Sequence, residues 1–277
     1  MKKRVALKLA YIGTEYHGSQ VQPELPTIEG ELFKSLKNLE IIDSPKSANF
    51  VSSGRTDTGV HSLGQVVAFD TNNPRLAVPR VINSQLPESI WAWACAVFPD
   101  EFNPRHEALS RRYLYIMSGE EYDISRIRTA SKYLIGTHDF ANFCTPVKGK
   151  STVRTVQRIN IRVKANLTLI DIQADSFLWK MVRKIVTALM MVGYGTRDTK
   201  WLEQMLNPEY YEEGIEPAPS YGLILKDVDY LQPIEWDVDD YSIQKARNQL
   251  RQHLIRYRVM AEVLEHLVPQ EKRYHEL

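Results

Sequence analysis

Residues 52–69 read SSGRTDTGVHSLGQVVAF. A single carboxylate, Asp57, stands on a polar turn, with Arg55 two positions before it and Gly54 and Gly59 at the turn's ends. An aspartate in such a turn is ordinarily a turn-former, because its side chain accepts from nearby backbone N–H groups. Two features point past that role. The Arg55 guanidinium lies where it can pair with a carboxylate or a phosphate. The apolar run after the turn reads as a strand that holds one end of the loop rigid, which suits a preorganised site.

Two further segments carry residues with chemical scope. In SRRYLYIM, residues 110–117, strand alternation puts Tyr113 and Tyr115 on one face and Arg112 and Leu114 on the other. A tyrosine on a sheet face is core material, or it stacks on a base beside arginines that hold phosphate. In DSFLWKMVRKIV, residues 175–186, Arg183 lies near the apolar side of a predicted helix. It is either a surface arginine with its stem on the helix or a buried cation in need of a carboxylate. The seven histidines show no metal-ligand spacing, and there is no GxSxG elbow, Walker A loop or GxGxxG run. The two cysteines, Cys95 and Cys144, stand far apart and form no CxxC or Cys/His cluster. A structural metal is not expected, and free thiols point to a cytoplasmic protein.

The chain of 277 residues is 43% hydrophobic and 25% charged, a globular composition with no apolar run long enough to span a bilayer. The opening MKKRVALKLAYIG reads as a first strand and not as a signal peptide. A net charge of +1 gives no bulk attraction to nucleic acid, so any basic surface has to be local. One exists. Lys148, Lys150, Arg154, Arg158, Arg162 and Lys164 occur with no acid between them, and RHEALSRR, starting at Arg105, adds three arginines. This pattern fits phosphate contact or a solvated strand pair.

Periodicity places strands over 4–12, 89–98, 111–118, 152–164, 167–175 and 222–230. It places helices over 27–42, 76–86 with an interruption at Pro79, 124–135, 177–192, 198–206 and 239–267. In the last helix Ile243, Ala246, Leu250, Leu254, Tyr257 and Leu264 line one side, which predicts packing on the body, while its arginines leave a basic outer surface. Prolines at 99–106 mark a division into an N-terminal domain, 1–104, carrying the Asp57 loop, and a C-terminal domain, 105–277. Strands mixed with helices in each half give an α+β class with mostly antiparallel sheet.

Taken together, GRTDTGVHSLGQVVAF, FNPRHEALSRRYLYI, FLWKMVRKIV and PSYGLILKDVDY resemble, in order, the signature segments of TruA-type tRNA pseudouridine synthases. YIGTEYHGSQVQPELPTIEGEL resembles that family's opening segment, so the similarity spans about residues 4–230. Ser19, where the family usually has tryptophan, Thr58, where alanine is common, and the 231–277 tail depart from the pattern. The resemblance implies two ferredoxin-like halves sharing a sheet, with a catalytic cleft between them. It implies Asp57 as the catalytic carboxylate and Arg55 as the group that displaces the target base. Tyr113 would stack on the uracil and assist at its C5 proton, and Arg183 would pair with Asp57. Arg112, Arg105, Lys148, Lys150 and Arg154 would contact tRNA. It further implies a homodimer, no cofactor, no metal and no membrane, and action in the anticodon stem-loop at positions 38 to 40.

The chemistry agrees with one carboxylate. Isomerising uridine breaks N1–C1′ and forms C5–C1′ with no redox change, so one carboxylate can serve as nucleophile or charge stabiliser. A glycosidase usually places a second carboxylate across the bond. Whether Asp57 meets C6, C1′ or a sugar proton stays open. Two alternatives share the scaffold: a non-catalytic tRNA-binding or folding protein, and a synthase acting at other tRNA positions.

Overall fold

The computed structural model describes residues 2–98, 101–119, 122–210 and 214–268. Residues 99 and 100 of the expected division, and 269–277 of the tail, lie outside them. In chain order the described elements are β1 (Lys3–Tyr11), α1 (Ile28–Asn38), β2 (Val51–Ser52), β3 (His61–Thr71), α2 (Pro79–Ile82), β4 (Ile90–Phe98) and β5 (Ala108–Ser118). Then come α3 (Ile124–Ser131), β6 (Gly136–Asp139), β7 (Val153–Lys164), β8 (Leu167–Ala174), α4 (Met181–Gly193), α5 (Thr199–Gln204), β9 (Leu223–Tyr230), β10 (Asp237–Val238) and α6 (Asp240–Leu267). The class is α+β, as the element pattern predicts.

All ten strands join one sheet in the order β10-β4-β1-β3-β9-β5-β8-β7-β6, with β2 paired to β3. The pairings are antiparallel except one: β3 runs parallel to β9, with His61 beside Ile224 and Ser62 beside Leu225. That junction is where strands from the first part of the chain meet strands from the second. Val5, Leu7 and Leu9 of β1 and Val67 and Phe69 of β3 bury against Leu32 and Leu36 of α1 and Ile82 of α2. On the other side of the junction Tyr115, Ile170 and Ile172 bury against α3, α4 and α5.

Side chains tie across the junction. Lys8 of β1 donates to Asp227 of β9 at 2.9 Å, and its ammonium lies 5.2 Å from the Trp93 ring and 5.3 Å from the Trp236 ring. The ammonium is mostly buried beside the two indoles while the Asp227 carboxylate stays partly in water, so solvent weakens the pair in part. His61, the first residue of β3, accepts the Gly13 N–H at Nδ1 and therefore donates from Nε2 to the Tyr221 carbonyl, 3.1 Å away in each case.

Several element ends differ from the periodic pattern, each for a local reason. α1 stops at Asn38 in a Schellman turn: Glu40 takes φ 54°, its N–H bonds to Lys37 O and the Ile41 N–H reaches Leu36 O. Pro79 does not interrupt a long helix. It opens a short one, at the position where its missing N–H costs nothing. α3 ends at Ser131 and tightens into a 3₁₀ turn over 132–134. α4 begins at Met181 and not at 177, because Lys180 adopts left-handed φ 65°. α5 ends at Gln204, short of the expected 206.

The tail gives the largest departure. β10 pairs back onto β4, and the start of α6 is fixed there by Asn83 to Ser242 (2.9 Å) and Arg80 to Asp239 (3.2 Å). So the tail packs against the N-terminal strands and not against the second half that precedes it in sequence. Beyond Ala246 no α6 residue is buried; Leu254, Tyr257 and Leu264, expected to pack on the body, are exposed. The helix runs on for roughly 30 Å, at 1.5 Å per residue, away from the body. The periodic stripe is real, but the sheet it was expected to cover ends at β10.

His61 links the junction to pH. Burial lowers its pKa below the ordinary 6.5, so the folded chain holds it neutral. As pH falls, the unfolded chain takes up this proton first. The stability from neutral His61 is thus complete above about 6.5 and declines below it, down to the folded value. The expected outcome is that the stability difference between wild type and His61→Gln shrinks from about pH 7.5 to about pH 5.5. Urea denaturation across that range measures it, and a difference independent of pH contradicts it.

Candidate active site

The loop before β3 is fastened on both sides, which explains why Asp57 has a fixed place. Ser53 pairs with Val66 through the backbone, its hydroxyl donates to Gln65 Oε1 at 3.0 Å, and Gln65 Nε2 donates to Gly54 O at 2.6 Å. Ser19 clamps the next residue at two points. Its hydroxyl accepts the Thr56 N–H at 2.9 Å, and its own N–H donates to Thr56 O at 3.0 Å. The Tyr11 and Thr56 hydroxyls meet at 2.9 Å. Gly59 sits at φ 79°, and an added Cβ would lie 2.7 Å from the Ser220 hydroxyl. Gly59 is thus required twice over, by its backbone and by its neighbour. Gly54 is not; space for a side chain is open there.

Asp57 reaches across the β3–β9 junction. Its Oδ2 lies 3.3 Å from an Arg183 guanidinium nitrogen, and its Oδ1 accepts the Trp179 indole N–H at 3.0 Å. The Arg183 and Asp57 side chains are 14% and 27% exposed, so solvent weakens the pair only in part. Arg183 stands in the first turn of α4 and bonds Ala218 in both directions, Nε to Ala218 O and Ala218 N–H to Arg183 O. That anchors the segment leading into β9. Tyr115 donates to Pro219 O in the same segment at 2.9 Å.

Tyr113 is partly buried beside this pair, with its ring edge-on to Phe177 at 5.1 Å and 86°. Burial first, and the negative charge of Asp57 second, push its phenol well above the ordinary 10. It is a neutral hydroxyl at physiological pH. Arg111, and not Arg112, braces this side of the site. Its guanidinium donates to Ser53 O, Arg105 O, Asp175 O and Ala108 O, tying the loop to both sides of the junction.

The remaining residues from the sequence pattern fall in three places. Arg55 is exposed on the loop and makes no hydrogen bond or ion pair among the described residues; Asp57 is paired with Arg183 instead. Arg112 forms a two-bond fork with the buried Asp171, both bonds 2.7 Å, so those donors are committed to the sheet. Arg105, Lys148 and Lys150 are exposed, while Arg154 is half-buried with donors on Ser151 O and Val153 O. Ser19, Gln65, Arg111 and Trp179 are the site residues that sequence reasoning missed. Ser19 was visible only as a departure from a pattern, and Trp179 lay inside a stretch read as regular helix. Among the described residues there is no group of three or more His, Cys, Asp or Glu side chains placed to hold a metal. No helix among them is long and apolar enough to cross a membrane.

The chain has sequence relatives that cover nearly its whole length. A protein named tRNA pseudouridine synthase A from Methanococcoides burtonii is 63% identical over 97% of this chain and 98% of its own length. One of the same name from Methanosarcina acetivorans is 64% identical over 97% of this chain and all of its own. The chain belongs to the tRNA pseudouridine synthase A family. A family model described as tRNA pseudouridine synthase matches residues 130–231, which include Trp179, Arg183 and β9. A relative from Methanocella arvoryzae, also a tRNA pseudouridine synthase A, is 46% identical over 94% of the chain. The pseudouridine synthases are isomerases.

The Ser19 clamp has a measurable weight. Ser19→Ala leaves the buried Thr56 N–H without its acceptor, which costs about 1–3 kcal/mol. The expected outcome is a lower urea midpoint with an unchanged m-value, together with a reduced single-turnover rate as the Asp57 loop loosens. A wild-type midpoint and rate contradict the clamp.

Proposed function

We propose that this enzyme converts uridine to pseudouridine in tRNA with Asp57 as its catalytic carboxylate. The observation that carries the reading is the Asp57–Arg183 pair across the β3–β9 junction. Arg183 holds the carboxylate in place at the junction, where one anion can attack or stabilise the carbon that loses N1. Arg55, extended from the same loop and free of protein partners, is the group that displaces the target base and fills its place. Tyr113 stacks on the extruded uracil. Its raised phenol pKa supports stacking, with the neutral hydroxyl as a hydrogen-bonding group, over a phenolate base.

Arg105, Lys148, Lys150 and Arg154 are proposed phosphate contacts. The first three have exposed ammonium or guanidinium groups, and Arg154 Nε is buried without a partner. Arg112 contributes through its outer edge while Asp171 holds its fork. The target is proposed in the anticodon stem-loop at positions 38 to 40. Each half is proposed to derive from a ferredoxin-like unit. The order β9-β5-β8-β7, from a βαββαβ succession, supports this for the second half. The division near residue 104 is proposed as the boundary between halves, with the tail returning to the first.

Asp57→Asn tests the catalytic assignment. The expected outcome is loss of tritium release from C5-labelled tRNA by several orders of magnitude, with tRNA affinity within a few fold of wild type. Full activity in that variant refutes the assignment. A non-catalytic tRNA-folding role predicts that Asp57→Asn behaves as wild type in every assay. Pseudouridine mapping in tRNA from cells with and without the gene tests the position.

The assembly is proposed to be a cytoplasmic homodimer. The apolar residues left uncovered on α6, among them Leu254, Tyr257, Leu264 and Leu267, support a seam between two copies. The free span carries Arg247, Arg251, Arg256 and Arg258 in its first part and Glu262 and Glu265 in its last, which favours antiparallel pairing. Light scattering is expected to give twice the chain mass, falling to one chain for Leu254→Glu combined with Leu264→Glu. A double variant that stays dimeric removes α6 from the seam.

A further inference from the structure

Trp179 joins two properties that rarely coincide. Its indole N–H is committed inward, to Asp57 Oδ1 at 3.0 Å, yet the side chain is 53% exposed. The exposed part of the ring is open to a stacking partner. Its placement is also built. Lys180 takes left-handed φ 65° immediately after it, so the indole leaves the path that α4 would otherwise have imposed. Thr145 donates its N–H to the Trp179 carbonyl at 3.0 Å, fixing the backbone from a second loop. Two residues earlier Phe177 packs edge-on against Tyr113, and four residues later Arg183 holds the other Asp57 oxygen. One short segment thus touches each member of the proposed site.

From this geometry we infer that Trp179 is a positioning residue with two separable jobs. Its N–H fixes the Asp57 carboxylate in one rotamer, and its exposed ring is the platform on which a nucleobase flanking the target uridine stacks. The inference rests on the catalytic reading of Asp57. A carboxylate with a donor on each oxygen cannot swing between rotamers, so its remaining lone pairs keep one direction relative to the cleft. Arg183 alone would leave Oδ1 free to turn. The platform follows from exposure and from charge. Every base has a face that stacks on an indole, and the Lys180 ammonium, 4.9 Å from the ring centre, brings a positive charge beside it, where a phosphate accompanies each base.

The two jobs separate by substitution. Trp179→Phe keeps an aromatic ring and removes the N–H. Its kcat is expected to fall roughly tenfold, the effect of losing one charge-assisted hydrogen bond, with tRNA Kd within twofold of wild type. Trp179→Ala removes both. Its kcat is expected to fall as far as that of Trp179→Phe, and its Kd to weaken a further tenfold or so, as for loss of one stacked base. Thermal midpoints of both variants should stay near wild type, since the ring is largely in solvent; a purely structural role would instead move the midpoint and leave no split between kcat and Kd. Wild-type kcat in Trp179→Phe overturns the positioning job, and equal Kd in the Phe and Ala variants overturns the platform. Asp57→Asn assayed alongside separates the failures. If it is active, the catalytic reading itself falls. If it is inactive while Trp179→Phe is wild type, only the present inference falls.

Discussion

The parallel pairing of β3 with β9 is the constraint on which the site depends. Every other ladder in the sheet is antiparallel and joins strands within one part of the chain or its returning tail. At this one junction the two parts meet, and the Asp57 loop is the stretch that leads into it. The parallel contact is short, two residue pairs, so the backbone alone holds it weakly. Side chains supply the rest: Lys8 to Asp227, His61 between Gly13 and Tyr221, and Arg111 from Ser53 to Asp175. Asp57 to Arg183 is a fourth tie of the same kind, with both side chains partly open to solvent. Fold and chemistry thus share a requirement, since what keeps the halves in register also keeps the carboxylate opposite its arginine.

This arrangement explains why the residues around Asp57 are polar and buried at once. Ser19, Thr56, Ser53 and Gln65 are each nearly inaccessible, and each is hydrogen-bonded. A loop with unpaired buried N–H groups would be costly, and a loop left in water would not hold its carboxylate still. A serine at position 19 meets both needs with two bonds to one residue. A tryptophan there could offer neither the small volume nor the hydroxyl acceptor. Ser19 therefore fixes the loop from a position out of solvent.

How far the sequence could be read follows from the range of each interaction. β1, β4, β7, β8 and β9 were legible because alternation is a local signal, and so was the length of α6. The three signature residues Asp57, Tyr113 and Arg183 were legible only as a set, since each alone reads as a turn-former, a core aromatic and a surface arginine. The left-handed backbone at Lys180 was not legible, as nothing in the SFLWKMV run marks a break in helical period. It cost the reading Trp179. The bracing role of Arg111 was not legible for a related reason. Arg111 and Arg112 are equivalent in sequence, and only the position of the buried Asp171 on β8 decides which one is captured by the sheet.

The tail shows the same limit from the other side. Its apolar stripe reads as a face packed on the body, but a stripe does not say what covers it. In the folded chain β10 closes the edge of the sheet beside β4, and α6 is anchored there by Asn83, Arg80 and Ala246 before it leaves the body. An amphipathic helix fixed at one end and apolar over its free turns keeps its direction but not its partner. The anchoring also places the helix at the edge farthest in strand order from β6 and β7, which carry much of the local basic sequence. The exposed apolar stripe of α6 and the basic stretch around β7 therefore lie at opposite ends of one sheet. A second subunit on the helix would leave the basic strands of this one open to a polyanion, so assembly and substrate binding need not compete for the same surface.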